Sequence, residues 1–206
     1  MEMSNSLNAA LILFVRNPIL GKVKTRLAKA IGDEKALEVY RQLLSKTHNI
    51  TYSLSCAKFV YYADEVTQSD LWSKGNFIKK AQSGNDLGER MYNAFADLSE
   101  AGFARIIIIG SDCFELTNEI LQDAFEQLKA HDAVIGPAYD GGYYLLGMKE
   151  LTPRPFKNKK WSTSSVCADT INDFVKLDAS YVVLPTLNDV DERQDLLKCK
   201  IDLNKD

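Results

Sequence analysis

Histidine and paired cysteine are scarce in this chain. Its 206 residues include two histidines and four cysteines, and no two cysteines form a Cys-x-x-Cys pair. This spacing predicts neither a zinc site nor a disulfide framework, so we expect four reduced and mostly buried thiols. His48 falls within an amphipathic helical pattern and His131 at a predicted helix end. A nucleophile system or metal cluster built on histidine therefore has little support.

Long apolar runs and an excess of positive charge are missing as well. The apolar run at residues 9–15 is far shorter than a membrane span, and Glu2 stands where a secretory signal would be basic. The net charge of −3 argues against a nucleic-acid partner, which normally needs a basic stripe. We expect a cytoplasmic protein with no membrane span and one domain over residues 1–206. The sequence does not indicate an oligomeric state.

The central feature that is present is a run of four isoleucines at residues 106–109, followed by Gly110, Ser111 and Asp112. A continuous β-branched run that ends at glycine is typical of a strand buried on both faces, as in a parallel sheet. Ligands collect at the carboxyl ends of such strands. Asp112 is therefore a candidate anchor for a divalent cation that carries a substrate diphosphate, although it could also simply cap the following turn.

The first strand is predicted at residues 9–15, and a second candidate site lies in the loop that follows it. Three cations, Lys22, Lys24 and Arg26, lie within five positions, just after Gly21. A helix that begins there would point its free N–H groups at the same place, which makes this loop a candidate cradle for phosphates. It is not a Walker loop, because its spacing differs and a valine occupies the Ser/Thr position. A solvated basic loop is the alternative.

Polar groups also follow a third predicted strand at residues 77–81. Gln82 offers a donor and an acceptor suited to the edge of a nucleobase, and Arg90 projects from the first turn of the next predicted helix. Taken singly, both are more often surface groups. They gain interest because they fall at the same predicted sheet edge as Lys24 and Asp112.

The second half of the chain holds further candidates. Asp140, Gly141 and Gly142 form a hairpin-turn signal. Residues 151–160 are predicted to form an exposed loop that could cover the crevice. Trp161 at a loop–helix junction could stack on a sugar or base, or be a core residue. A short helix is predicted to begin within residues 188–193, where two carboxylates could cap it or complete a cation site.

The alternation of predicted strands and helices indicates an α/β fold with three α/β/α layers and a mostly parallel, Rossmann-like sheet. Residues 145–148 are the expected antiparallel exception. The remaining predicted strands lie at residues 58–63, 133–136 and 181–184, and the main helices carry apolar residues at helical spacing over residues 36–47, 91–98 and 120–128.

Five motifs together resemble a known family: PxxGKVKTRL at 18–27, GxDLGERM at 84–91, GSDC at 110–113, GPAxDGGYY at 136–144 and WST at 161–163. They resemble the GT-A-fold transferases associated with radical-SAM and selenodomain proteins, within the nucleotide-diphospho-sugar transferase superfamily. The chain is more distantly similar to 2-phospholactate and molybdenum cofactor guanylyltransferases. One departure is Phe114, where the family usually has proline.

The resemblance implies roles for individual residues. Asp112 would bind Mg²⁺ or Mn²⁺, and Asp189 or Asp191 would add a second carboxylate. Lys24 and Arg26, with Lys22 beside them, would contact the diphosphate. The nucleotide would be bordered by Gln82, Gly84, Asp86 and Arg90. The acceptor would be met by Asp140, Gly141, Gly142 and Trp161.

Three functions are consistent with these residues. The leading hypothesis is a glycosyltransferase that uses a nucleotide-diphosphate sugar and a small-molecule acceptor, with Lys24, Arg26 and the cation stabilising the leaving diphosphate and Asp140 activating the acceptor. The alternative is nucleotidyl transfer from a nucleoside triphosphate, which releases pyrophosphate. A non-catalytic nucleotide-binding module is the third.

Overall fold

The computed structural model describes residues 8–199 and 201, and its strands form one seven-stranded sheet in the order β3-β2-β1-β4-β6-β5-β7. In chain order the strands are β1 (Ala9–Val15), β2 (Ala57–Tyr62), β3 (Phe77–Ala81), β4 (Arg105–Ile109), β5 (Ala133–Pro137), β6 (Tyr143–Met148) and β7 (Tyr181–Val183). Only β6 runs antiparallel to its neighbours β4 and β5, and the other pairings are parallel. The predicted mostly parallel sheet and its antiparallel exception are confirmed.

Helices cover both faces of the sheet. They are α1 (Thr25–Ile31), α2 (Asp33–Tyr52), α3 (Leu87–Glu100), α4 (Asn118–Ala130), α5 (Val166–Lys176) and α6 (Arg193–Cys199). One core layer packs α1, α2, α4 and α6 against the side chains of Leu11 and Leu13, and the other packs α3 and α5 against Ala10 and Ile12. Alternate residues of β1 therefore point to opposite cores, which is the three-layer α/β/α arrangement that the sequence predicted.

The strand order creates a crevice at one place. β1 lies between β2 and β4, so the chain leaves β1 toward one edge of the sheet and later returns to add β4 on the other side. In open parallel sheets, such a reversal separates the loops that follow the two strands and leaves room for a ligand. The loops after β1 and β4 carry Lys24 and Asp112.

One sequence prediction is wrong in part. Residues 151–160 form a partly exposed loop, but none of them lines the crevice. Phe156 is buried against Tyr92 and Phe95 of α3, and the Lys159 side chain is buried against Asp173 of α5. The predicted C-terminal helix begins at Arg193, the last residue of the predicted range.

The path of residues 188–192 is set by the carboxylate of Asp195. It accepts hydrogen bonds from the Asn188 side chain and from the amides of Asp191 and Glu192. These bonds hold the segment in a turn outside the helix.

All four cysteines are free, and three of them are buried. No helix in the described residues has the length and apolar character to cross a membrane. Glu2 and both ends of the predicted domain at 1–206 lie outside the described residues.

Candidate functional site

A cleft of about 740 Å³ opens at the carboxyl ends of β1 and β4. Most of the sequence-predicted site residues line it: Lys22, Lys24, Arg26, Gln82, Asp86, Arg90, Asp112, Asp140 and Asp191. The structure therefore brings the cationic loop and the acid that follows the four isoleucines to one cavity. Gly84, Gly141, Gly142 and Trp161 are not among the residues that line it.

Lys24 connects the two sides of the cleft. Its Nζ lies 2.8 Å from Asp112 Oδ1 and 3.1 Å from Asp191 Oδ1, and its side chain is only 4% exposed. Burial alone would lower the pKa of Lys24, but the charges of Asp112 and Asp191 outweigh it and raise that pKa. Lys24 is therefore positively charged at neutral pH.

The backbone of Lys24 explains this placement. Lys24 is the N-cap of α1 and has a left-handed conformation, with φ of 48° and ψ of 42°. This conformation is uncommon for a residue with a side chain and is found where surrounding structure imposes it. It lets the chain turn from the cationic loop into the helix.

The second acidic segment reaches Asp112 by pairing with the chain after β4. Cys113 and Asp189 form an isolated antiparallel bridge, and the Val190 amide donates to the Asp112 carbonyl at 2.9 Å. These contacts place Asp189 and Asp191 next to Asp112, although they lie far from it in sequence.

Asp189 is a partly buried acid of the cleft. Burial raises its pKa to about 7, and the charges of Asp112, Asp140 and Asp191 add to this rise while Lys24 opposes it. Asp189 is thus affected by three other acids, and in the part of the chain that the structure describes Lys24 is the lysine that pairs with two of those acids. The acids at this end of the cleft favour a further cation.

The residues fit a divalent cation in their chemistry. Within residues 8–199 and 201, no three His, Cys, Asp or Glu side chains are grouped to hold a metal ion. Mg²⁺, however, is commonly held by one or two carboxylates together with substrate phosphates. One oxygen of Asp112 and one of Asp191 already converge on a single positive group, the Lys24 ammonium.

The predicted nucleotide-binding residues also have structural partners. The Gln82 amide donates to the Tyr61 carbonyl at 3.0 Å, and Arg90 Nε donates to the Gly84 carbonyl at 3.1 Å. Asp86 is the N-cap of α3, where Oδ1 accepts from the Glu89 amide at 2.8 Å. The loop between β3 and α3 is thus held in place by its own polar groups.

The turn around Asp140 has the hairpin role that its sequence signal predicted. Asp140 Oδ1 accepts from the Gly142 amide at 2.8 Å, and Gly141 has φ of 88°. Asp140 also lines the cleft. The two glycines shape the turn between β5 and β6 but do not line the cavity.

Trp161 is not among the residues that line the cleft. Its ring lies against Gly88 of α3 and the second core layer. The residue is partly buried, so it lies at the edge of the core, close to the core position that the sequence offered as the alternative to stacking on a ligand.

Tyr40 is a cleft residue whose site role the sequence did not indicate. It lies on the apolar face of α2 and is 3% exposed, yet its hydroxyl reaches Arg16 at the end of β1 and Ser111 after β4. A tyrosine among apolar positions of a helix predicts only a core residue, so no local signal could have identified it.

The fold is that of the nucleotide-diphospho-sugar transferases. The most informative match is the crystal structure of a "putative nucleotide-diphospho-sugar transferase" from Desulfovibrio desulfuricans G20, with a TM-score of 0.84 and 32% identity over 93% of this chain and 86% of that one. The chain belongs to the family described as "Uncharacterized protein conserved in bacteria (DUF2064)", whose profile matches residues 47–163.

Two enzymes of named reaction share the fold at low identity. They are 4-diphosphocytidyl-2C-methyl-D-erythritol synthase from Anaerococcus prevotii, with a TM-score of 0.58 and 10% identity over 95% of each chain, and the inositol-1-phosphate CTP transferase from T. maritima, with a TM-score of 0.55 and 12% identity over 93% of this chain and 92% of that one. No curated protein matches the chain in sequence.

Proposed function

We propose that this protein is a cation-dependent glycosyltransferase that takes a nucleotide-diphosphate sugar as donor and a small hydroxyl compound as acceptor. The observation that carries the proposal is the contact of Lys24 with Asp112 and Asp191, 2.8 and 3.1 Å away across the cleft. A diphosphate needs positive charge, and its cation needs carboxylates. Here the positive charge of Lys24 contacts two carboxylates, and Lys22 and Arg26 line the same cleft.

The residues divide the cleft into three parts. Lys22, Lys24 and Arg26 would bind the diphosphate at the end of β1. Gln82 and Arg90, from the loop after β3 and the start of α3, would border the nucleoside. Asp140 enters from the turn between β5 and β6, on the opposite side of β4 from β1. The acceptor would therefore approach from the Asp140 side.

In the reaction, the bond between the anomeric carbon and the β-phosphate oxygen breaks, and a bond from the acceptor oxygen to that carbon forms. The acceptor proton passes to Asp140, and the electron pair of the broken bond stays with the nucleoside diphosphate. Lys24 and Arg26 stabilise the charge that develops on the leaving group.

Asp112 and Asp191 would hold the divalent cation, with Asp189 behind them. When bound, the cation supplies Lewis-acid neutralisation of the diphosphate. The carboxylates of the chain determine where that charge is placed, since Asp112 is fixed by the end of β4 and Asp191 by the turn around Asp195.

The test is to identify the products. Purified protein is incubated with UDP-, GDP- and ADP-sugars, Mg²⁺ or Mn²⁺ and a panel of small hydroxyl acceptors, and release of nucleoside diphosphate is measured. We expect release that chelation abolishes and that Asp112→Asn lowers by at least about a hundredfold. Asp123→Asn, an exposed acid on α4, is the matched control and should retain full activity.

A second candidate is nucleotidyl transfer, favoured by the five cations that line the cleft: Arg16, Lys22, Lys24, Arg26 and Arg90. They would also suit a triphosphate. Two fold relatives are named for reactions of this kind. Pyrophosphate released from a nucleoside triphosphate and a phosphorylated acceptor would replace the first proposal with this one. Nucleotide binding with no turnover of either kind would identify a binding module.

A further inference from the structure

The Lys24 ammonium and a divalent cation would compete for the same two carboxylates. Nζ lies at hydrogen-bond distance from Asp112 Oδ1 and from Asp191 Oδ1. A metal ion coordinated by both carboxylates and an ammonium this close would repel each other at short range, in a region of low dielectric. The two positive charges cannot share this position.

We infer that Lys24 competes with the divalent cation for Asp112 and Asp191, and that the diphosphate of the donor relieves the competition by drawing the ammonium to its phosphates. Cation and nucleotide then bind cooperatively. This inference uses the cation site of the proposed function and adds to it the order of events. By linkage, each ligand tightens the binding of the other to the same degree.

The burial of Lys24 supports this inference. Its side chain is 4% exposed, whereas the side chains of Asp112 and Asp191 are 45% and 41% exposed. The ammonium lies on the inner side of the acids, while both carboxylates remain open to solvent and to an incoming cation. A charge buried to this degree needs a new partner of opposite sign before it leaves the old one.

The neighbouring cations differ from Lys24 in this respect. Lys22 and Arg26 are exposed, and neither forms an ion pair with an acid among the described residues. They can receive phosphate without leaving a carboxylate. Lys22 is therefore a matched control, a lysine of the same loop that should contribute to nucleotide binding but not to competition with the cation.

The experiment measures Mn²⁺ binding by electron paramagnetic resonance of the free ion, first without nucleotide. Lys24→Met is expected to bind Mn²⁺ at least about tenfold more tightly than the wild type, because the competing charge is gone. Lys22→Met should match the wild type. Lys24→Arg, which keeps the charge, should remain weak. Asp112→Asn added to Lys24→Met should abolish the gain, which places the ion at this site.

The second arm repeats the titration with saturating UDP or GDP. We expect the difference between the wild type and Lys24→Met to shrink to within about threefold, since the diphosphate has already moved the ammonium. Thermal unfolding gives a second readout that can be used even if the variant is less stable than the wild type. Mn²⁺ should raise the thermal unfolding midpoint of Lys24→Met by more than it raises that of the wild type.

Two results would overturn the inference: equal or weaker Mn²⁺ binding by Lys24→Met, including no binding by either protein, or a difference that persists undiminished with nucleotide. The arm without nucleotide does not depend on the reaction. A wild-type protein that turns over no nucleotide sugar, yet shows the Lys24-dependent gain, would remove the proposed reaction and leave the competition standing.

Discussion

The hydroxyl of Tyr40 accepts a hydrogen bond from the Arg16 amide at 2.9 Å and donates one to the Arg16 carbonyl at 3.2 Å. Ser111 Oγ donates to the same hydroxyl at 3.4 Å. One side chain of α2 thus joins the end of β1 to the end of β4, the two strands whose loops carry Lys24 and Asp112.

Replacement of Tyr40 by phenylalanine removes this junction without changing the packing of the ring. We expect a loss of about 1–3 kcal/mol in the free energy of unfolding, because the Arg16 amide loses its partner in a partly buried position. Urea denaturation measures it. Tyr52→Phe, at the exposed end of the same helix, should change stability by less than about 0.5 kcal/mol. Equal effects of the two substitutions would contradict the role assigned to Tyr40.

Two substitutions of Asp140 can separate its structural role in the turn from its proposed role as the catalytic base. Asp140→Asn keeps the side-chain oxygen that accepts from the Gly142 amide, so stability should be retained while turnover falls by about 10²–10⁴-fold through loss of the base. Asp140→Ala should lose both the turn bond and turnover. Full activity of Asp140→Asn in the product assay would exclude this residue as the base.

Asp189 should make stability depend on pH. Its pKa is raised to about 7 by burial and by Asp112, whereas in the unfolded chain it titrates near the ordinary value. The folded state therefore binds the proton more tightly, and stability attributable to this group falls as pH rises from about 4 through 7.

Asp189→Asn removes this titration. The substitution should therefore improve stability relative to the wild type more at pH 8 than at pH 5, by roughly 1–3 kcal/mol. Urea denaturation of both proteins at the two pH values measures it. A difference between variant and wild type that is the same at both pH values would show that Asp189 is ionised throughout.

Gly88 lies in α3, where alanine would ordinarily stabilise a helix. A Cβ at this position would instead overlap the Phe156 carbonyl and the Trp161 ring. Gly88→Ala should therefore lower stability by about 2 kcal/mol, measured by thermal and urea unfolding. Gly110→Ala is the control, because a Cβ there meets nothing within 4 Å. Its stability should change by less than about 0.5 kcal/mol, while nucleotide affinity falls because the added methyl enters the cleft.

Patterns local in sequence predicted much of the fold. The isoleucines at 106–109 and the apolar run at 9–15 became the two central strands, because a β-branched run flanked by turn residues is stable only when both of its faces are covered. Thr117 caps α4 by accepting a hydrogen bond from the Ile120 amide, a contact that depends only on residues three positions apart. The charged residues of 151–160 predicted a loop that could cover the crevice, but the burial of Phe156 holds this segment against α3.

The sequence by itself determined that a cationic loop and Asp112 would face the same sheet edge, because parallel strands all present their carboxyl ends there. Only the tertiary structure decided which acids join them. Asp189 and Asp191 reach Asp112 through a bridge to Cys113 and a turn held by Asp195, contacts between segments far apart in the chain that no local periodicity encodes. The same is true of the burial of Lys24, since the environment of an ammonium depends on every segment that closes around it.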